Sequence, residues 1–180
     1  MAATEKELAA PEGWRTLICG VGPVEAAAAT AAEIARMRPA VVLHVGIAGA
    51  RKQRTLTPGA LVIGSESQYC DLGVPAKWAP NTVVASETMV EAAVRAIPAA
   101  VVIPIGTSAR VGGTSGCDVE AMEGFAVLRA AQIAGVPAIE VRSVSNEIEE
   151  PDRARWHFSV AFDAITAATP LLVAELLNII

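Results

Sequence analysis

Two short polar segments carry residue types that could bind and cleave a small molecule. In the first, Val119 to Gly124, the carboxylate of Glu123 follows the thioether of Met122 where a loop enters a predicted helix. In the second, Arg142 to Asn146, a guanidinium, two hydroxyls and an amide stand where an apolar strand ends. Open α/β sheets build small-molecule sites at strand ends and helix starts. The segments therefore predict a pocket that holds a ribose with Glu123 and a heterocyclic base with Asn146.

The elements that must position these segments can be read from apolar runs, glycines and prolines. Short apolar runs predict buried strands, at 16–19, 41–45, 61–64, 101–105 and 138–144. Ala-rich stretches predict helices, at 24–37, 86–96, 122–134 and from 152 to the end, with Pro170 kinking the last helix or starting another. Turns or loops are predicted at 20–23, 46–49 and 110–117. This alternation indicates an α/β fold, a three-layer αβα sandwich around a central mixed, largely parallel sheet.

The composition of the chain indicates which kinds of molecule it could bind or assemble with. A chain of 180 residues predicts one domain over 1–180 with a sizeable core. Because 53% of the residues are apolar and only 18% are charged, we expect a homodimer or larger assembly to cover apolar surface. A net charge of −5 without a basic stripe argues against nucleic acid as a partner. Three dispersed cysteines favour free thiols in a reducing cytoplasm over a metal or disulfide framework.

Membrane and nucleotide-cofactor signals are weak. The N-terminus has no basic-then-apolar signal peptide, and no continuous apolar run approaches the ~20 residues of a membrane span. The turn Gly20-Val21-Gly22 lacks the third glycine of a dinucleotide fingerprint, and no Gly-Lys-Ser/Thr follows it. We therefore predict a cytoplasmic protein with no membrane partner, no metal and no cofactor.

Four stretches together resemble a known superfamily. They are Gly20 to Ala27, His44 to Ala50, Val119 to Gly124, and Arg142 to Asn146 followed by Pro151-Asp152-Arg153 and Trp156. Their types and order resemble the purine nucleoside phosphorylase and nucleosidase superfamily, specifically the methylthioadenosine/S-adenosylhomocysteine nucleosidase type and most of all the futalosine hydrolases. The resemblance implies a phosphorylase/hydrolase-like fold. It also implies cleavage of an N-glycosidic bond, converting futalosine to hypoxanthine and dehypoxanthinyl futalosine for menaquinone biosynthesis.

The resemblance also implies roles for individual residues. Glu123 would accept both ribose hydroxyls, with Met122 packed on the sugar and the backbone of Ala48 and Gly49 lining the pocket. Asn146 would contact the purine, held in place by Ser145 and Arg142. Glu7 would activate the attacking water. The resemblance thus implies catalytic roles for Glu7 and Asn146, and it implies substrate-binding roles for Ala48, Gly49, Met122, Glu123, Ser145 and Arg142.

The identity of residue 146 indicates which purine base the site prefers. An aspartate can protonate purine N7 and accept from an exocyclic amine, which suits adenine, whereas an asparagine cannot protonate anything. Its NH₂ can donate to N7 and O6 of a 6-oxopurine, so Asn146 favours hypoxanthine or guanine. Three alternatives stay open: a methylthioadenosine/S-adenosylhomocysteine nucleosidase, a purine nucleoside phosphorylase, and a non-catalytic nucleoside-binding relative.

Departures from the family pattern give further expectations. Only Met1 and Ala2 precede the first turn, so the first strand is predicted to be truncated and Glu7 poorly anchored. The sequence identifies no aromatic side chain that stacks on the base. Trp156 is expected to pack the last helix down, and Arg153 to form an ion pair with Asp152 where that helix begins.

Overall fold

The structure, a computed structural model, describes residues 1–9, 13–111 and 116–180. Part of the predicted loop 110–117, namely 112–115, lies outside the described residues. The strands are β1 Val42–Ala50, β2 Leu61–Tyr69, β3 Thr82–Val84, β4 Val101–Thr107, β5 Val119–Ala121 and β6 Ala138–Glu147. The α-helices are α1 Pro23–Met37, α2 Glu87–Ala96, α3 Gly124–Ile133 and α4 Phe158–Leu177. The mixed α/β character predicted from the sequence is confirmed.

The six strands form one mixed sheet with the order β3-β2-β4-β5-β1-β6, and β6 also pairs with β2, so the sheet closes on itself. The pairs β1–β6, β2–β4 and β4–β5 are parallel, whereas β1–β5, β2–β6 and β2–β3 are antiparallel. This order places the ends of β1 and β6 and the short β5 side by side. Three chain segments can therefore deliver side chains to one place.

The helices bury small apolar faces around this sheet. In α1 the buried positions Ala26, Thr30 and Ile34 recur every four residues, which is the spacing of one helix face. Helix α1 packs on α3, and α2 packs on α4. Helix α4 is continuous and contains Pro170, so the alternative that Pro170 begins a second helix is wrong. The predicted helix start at 152 is also wrong, because a short 3₁₀ turn, Arg153–Arg155, precedes α4.

Within the described residues, α4 is long and apolar enough to cross a bilayer by length and composition alone. The sequence pattern did not indicate this, because threonines and an aspartate interrupt its apolar run. One face of α4 is buried against the rest of the chain, through Ala161, Ile165, Ala168, Thr169, Leu172, Val173 and Leu176. A core helix of a globular protein meets the same criterion, so this helix is weak support for a membrane span.

Strand β1 runs through the glycines that the sequence analysis assigned to a turn. Gly46 and Gly49 pair with Arg142 and Asn146 of β6, so the predicted turn at 46–49 is wrong. The reason is steric: a Cβ on Gly46 would overlap the Arg142 guanidinium, and one on Gly49 would lie 3.1 Å from the Asn146 amide nitrogen. These glycines let polar side chains of β6 lie against β1.

The N-terminal residues extend the sheet by a very short ladder. Val45 N–H donates to Met1 O, and Cys19 N–H donates to Ala2 O, at 2.9 Å each. The predicted strand 16–19 is reduced to a single parallel bridge between Ile18 and Ala2. This ladder directs the following turn, Glu5–Glu7, towards the end of β1.

Candidate active site

A cavity of about 280 Å³ opens where β1, β5 and β6 end. The turn Glu5–Glu7 and the start of α4 complete its wall. Of the eight predicted site residues, seven line this cavity: Glu7, Ala48, Gly49, Met122, Glu123, Ser145 and Asn146. The structure therefore brings together residues that are spread over 140 positions of the chain.

Glu7 is held firmly, so the expectation that it is poorly anchored is wrong. Its side chain is only 5% exposed. One carboxylate oxygen accepts from Ile47 N–H at 3.2 Å, and the other accepts from the backbone N–H and the hydroxyl of Thr4, both at 2.9 Å. The Thr4 contact is part of a capping box that closes the 3₁₀ turn. A local turn and a contact with β1 thus hold the Glu7 carboxylate in place.

Glu123 connects β5 to α3 as the residue preceding the helix, so the predicted helix start at 122 is two residues early. One of its oxygens accepts from Gly22 N–H at 3.1 Å, and the other lies 3.3 Å from the Arg142 guanidinium. Burial raises the pKa of Glu123 above its ordinary value, and the Arg142 charge and the Gly22 N–H oppose that rise. The turn Gly20–Pro23 therefore donates a backbone hydrogen bond to the Glu123 carboxylate.

Arg142 lies behind the cavity wall, fully buried. Its Nε donates to Glu140 at 2.7 Å, and a terminal nitrogen lies 2.6 Å from His44 Nε2. Burial alone would lower the pKa of Arg142, but Glu140, Glu123 and Glu7 raise it above its ordinary value. The expectation that Arg142 holds Asn146 in place is wrong, because the guanidinium reaches towards β1 and Glu123. Its contacts give it a positioning role for Glu123.

His44 is in the core, as the sequence analysis expected. Burial, reinforced by the Arg142 charge, lowers the pKa of His44 well below its ordinary value, so the imidazole is neutral. Its Nε2 therefore accepts a hydrogen bond from Arg142. The carboxylate of Glu140, which also accepts from Ser67 at 2.5 Å, occupies the space that a Cβ on Gly124 would need. Gly124 therefore leaves room for the Glu140 carboxylate, and Gly46 leaves room for the Arg142 guanidinium.

Asn146 reaches the cavity through an irregularity in β6. Ala48 pairs with Val144, and Gly49 pairs with Asn146, which leaves Ser145 as an extra residue on β6. Such a bulge re-aims neighbouring side chains, so both Ser145 and Asn146 line the cavity. The Ser145 hydroxyl donates to Asn146 Oδ1 at 2.7 Å, and Asn146 Nδ2 donates to Glu147 O at 2.8 Å. Because the Glu147 carbonyl can only accept, it contacts the amide nitrogen, and the Ser145 hydroxyl therefore donates to the amide oxygen.

The structure adds an aromatic wall that the sequence analysis missed. Trp156, Phe158 and Phe162 line the cavity, with ring centroids 5.5 Å apart for the first pair and 6.1 Å for the second. Trp156 precedes α4, so the expectation that it packs the last helix down is incomplete. Phe158 and Phe162 are four residues apart on one helix face, and this spacing was the signal that could have found them.

We expect the pH dependence of catalysis to report the raised pKa of Glu123. A carboxylate accepts from two ribose hydroxyls only when ionised, so kcat/KM should fall as the pH drops through this pKa. The midpoint should lie above the roughly 4.3 of an unperturbed glutamate. A profile of kcat/KM against pH for inosine tests this, with 2′,3′-dideoxyinosine as the control substrate. An acid limb of the same size and midpoint for both nucleosides would contradict the assignment to Glu123.

Comparison with known proteins agrees with this geometry. A sequence profile of the Phosphorylase superfamily matches residues 16–178. The chain is 35% identical to futalosine hydrolase of Streptomyces coelicolor, an alignment that covers 92% of this chain and 81% of that protein. The matches confirm the superfamily and the likeness to futalosine hydrolase that the sequence motifs predicted.

Solved structures share the fold. One is a 5′-methylthioadenosine/S-adenosylhomocysteine nucleosidase from Colwellia psychrerythraea in complex with adenine, with a TM-score of 0.77 and 22% identity over 87% of this chain and 76% of that one. Another is native futalosine hydrolase of Helicobacter pylori, with a TM-score of 0.77 and 16% identity over 89% and 77%. The chain therefore belongs to the phosphorylase superfamily, and within it is a homologue of the futalosine hydrolases, which are N-ribosyl hydrolases.

Proposed function

We propose that this protein hydrolyses the N-glycosidic bond of futalosine and releases hypoxanthine and dehypoxanthinyl futalosine, a step of menaquinone biosynthesis. The observation that carries the proposal is the convergence of Glu7, Glu123 and Asn146 on one cavity. Hydrolysis through an oxocarbenium-like ribosyl cation needs a group that holds the sugar, one that orients water and one that stabilises the departing base. Each of these residues suits one of those tasks.

Glu123 is proposed to bind the ribose. Its carboxylate already accepts from Gly22 N–H and contacts Arg142, and the residue lines the cavity with acceptor positions left for a ligand. Two neighbouring hydroxyls can donate to them as charge-assisted hydrogen bonds. Met122, half-buried beside Glu123 on the wall, would pack on the sugar.

Glu7 is proposed to activate the water. Its three hydrogen bonds fix the carboxylate in one orientation at the cavity. A positioned carboxylate can take the proton of an attacking water as the new C–O bond forms. The developing ribosyl cation would also lie between the carboxylates of Glu7 and Glu123, which stabilises positive charge in a site shielded from solvent.

Asn146 is proposed to read the base. With Nδ2 donating to Glu147 O and Oδ1 accepting from Ser145, one N–H and one acceptor position remain for a ligand. A 6-oxopurine offers N7 or O6 as acceptors and a ring N–H as donor. Hypoxanthine therefore matches the amide better than adenine does.

The glycine turn favours hydrolysis over phosphorolysis. Gly22 N–H, a group that could donate to a phosphate, donates instead to the Glu123 carboxylate. A second anion placed beside that carboxylate would be repelled. A phosphorylase is therefore the weaker alternative, and a methylthioadenosine/S-adenosylhomocysteine nucleosidase is weakened by Asn146.

Asn146→Asp tests the base assignment. An aspartate oxygen in place of Nδ2 would face Glu147 O, and the donor to the 6-oxopurine would be lost. We expect kcat/KM for hypoxanthine release from futalosine and inosine to fall about thirtyfold, the equivalent of about 2 kcal/mol, and relative activity on adenosine to rise. Base release is measured by chromatography, with and without phosphate.

Asn178→Asp makes the same chemical change at the exposed end of α4 and serves as the control. An unchanged ratio of inosine to adenosine hydrolysis in Asn146→Asp would remove Asn146 from base recognition. Base release that requires phosphate would favour the phosphorylase. Binding of the nucleoside without any turnover would favour a non-catalytic relative.

We further propose one domain over 1–180, acting in the cytoplasm on a small purine nucleoside without nucleic acid or membrane partners. Large exposed apolar side chains support a homodimer or higher homo-oligomer, among them Val24, Val84, Ile133 and Leu171. Sedimentation velocity measures the size of that assembly.

A further inference from the structure

The charged side chains that line the cavity include one carboxylate without an assigned task. Glu7 and Glu123 are assigned to the water and the ribose. Arg153 lies at the rim, and the ion pair expected with Asp152 is absent from the part of the chain that the structure describes, where Asp152 instead caps its own 3₁₀ turn. Glu120 also lines the cavity and is only 7% exposed. Its place in the sheet indicates what it contacts in a ligand.

Glu120 lies on the same level of the sheet as Asn146. Gly49 of β1 pairs with Glu120 of β5 on one side and with Asn146 of β6 on the other. Residues that pair in this way point to the same face of a sheet. The neighbours of Glu120 on β5, Val119 and Ala121, point to the other face and belong to an apolar cluster there. The carboxylate and the amide therefore flank Gly49 on the side of the cavity.

Gly49 leaves the space between these two side chains open. It lines the cavity with backbone only, and a Cβ at this position would lie 3.1 Å from the Asn146 amide nitrogen. Neighbouring strands are about 4.8 Å apart, so the backbones of Glu120 and Asn146 are separated by about 10 Å across the glycine. A planar base that lies over Gly49 would therefore meet both side chains at its edge.

The level of Gly49 is the base end of the cavity. The Glu7 carboxylate, which is assigned to the water, accepts from Ile47 N–H, two residues earlier on β1. Two residues of a strand span about 7 Å. Glu120 is therefore placed beside the base and away from the attacking water.

Hypoxanthine offers a donor for this carboxylate. When Asn146 Nδ2 donates to O6 or N7 of the base, the N1–H group beside O6 still needs an acceptor. A carboxylate has about four lone-pair positions, so it can accept from a ligand in addition to its contacts within the protein. Adenine has a lone pair and no hydrogen at N1, and a carboxylate repels that lone pair.

We propose that Glu120 accepts a hydrogen bond from N1–H of a 6-oxopurine and excludes adenine, so that it determines base specificity together with Asn146. The proposal rests on the proposed function, because it takes the position of the base at Asn146 from it. It assigns to Glu120 a role in base selection and none in bond cleavage. Guanosine, which carries the same N1–H group, belongs to the accepted class.

Inosine, adenosine and 1-methylinosine, in which a methyl group replaces the N1 hydrogen, test the proposal in Glu120→Gln and Glu120→Ala. The glutamine amide can accept from N1–H or donate to adenine N1. We therefore expect the ratio of kcat/KM for inosine to that for adenosine to fall about tenfold or more in Glu120→Gln. In Glu120→Ala the acceptor is gone and space opens at N1, so the wild-type preference for inosine over 1-methylinosine should be lost.

Glu91→Gln makes the same chemical change at an exposed position of α2 and should retain both wild-type ratios. A role of Glu120 in the fold alone would lower the activity on all three nucleosides by one factor. Such a uniform loss, or unchanged ratios in both variants, would overturn the proposal.

The dissociation constants of free hypoxanthine, adenine and 1-methylhypoxanthine, measured by calorimetry, separate this inference from the proposed function. If no nucleoside is hydrolysed but hypoxanthine binds most tightly and Glu120→Gln reduces that preference, the proposed function fails and the Glu120 assignment stands. If the wild type hydrolyses futalosine but binds hypoxanthine and 1-methylhypoxanthine equally, the function stands and the assignment fails. Because this last comparison uses only the wild type, it decides the assignment even where a variant of Glu120 does not fold.

Discussion

Replacing Glu7 with glutamine is expected to lower kcat for hypoxanthine release about a thousandfold, within the usual contribution of general-base catalysis. The amide keeps the shape of the side chain and can still accept from Ile47 N–H, but it cannot take a proton from water. Because Glu7 does not hold the nucleoside in our assignment, KM should change little. Pre-steady-state and steady-state release of hypoxanthine from futalosine give both constants.

Glu5→Gln is the matched control, since Glu5 lies in the same 3₁₀ turn with its side chain exposed. It should retain wild-type kcat. Thermal unfolding of Glu7→Gln shows whether the turn still holds. A Glu7→Gln protein that folds normally and keeps more than about a tenth of wild-type kcat would rule out Glu7 as the base.

Replacing Glu123 with glutamine is expected to reduce kcat/KM several hundredfold, the equivalent of about 3 to 4 kcal/mol for two charge-assisted hydrogen bonds. The amide offers one oxygen, and its NH₂ group lies against either the Gly22 N–H or the Arg142 guanidinium, so one ribose hydroxyl loses its acceptor. The loss should therefore appear in KM as well as in kcat, unlike the loss in Glu7→Gln. Kinetics with inosine and with its 2′-deoxy and 3′-deoxy analogues measure it.

The deoxy analogues make the assignment specific to the hydroxyls. A substrate that lacks one hydroxyl should lose less activity on Glu123→Gln than inosine does. Glu147→Gln, a change one residue beyond Asn146 at a side chain 52% exposed, is the control and should behave as the wild type. If Glu123→Gln impairs inosine and both deoxy analogues by the same factor, the carboxylate acts on the fold and does not bind the ribose.

Much of the candidate site can be predicted from short sequence motifs. The apolar run before Arg142 and the carboxylate after Met122 were sufficient to predict a strand end and a helix start that meet at a pocket. They do so because a parallel strand order brings such ends together whatever the details of the loops. The mixed sheet and the convergence of seven predicted residues follow from the same local signals.

Other features depend on contacts between distant residues. Gly46 and Gly49 look like a turn in the sequence, and only the side chains of β6 that lie against them explain a strand there. The bulge at Ser145 depends on the register between β1 and β6, which no single segment determines. The anchoring of Glu7 depends on Ile47, 40 residues away. Local patterns do not contain this information.

Gly46 and Gly124 leave room for the buried side chains of Arg142 and Glu140, so the electrostatics of the site depend in part on the small volume of these two glycines. A methyl group at Gly46 or Gly124 would carry no charge and form no hydrogen bond, yet it would displace the guanidinium of Arg142 or the carboxylate of Glu140. The charge that Glu123 experiences is thus controlled from positions that have no functional group. In redesign of this enzyme, such positions offer a way to change the acidity of the pocket while every polar residue stays the same.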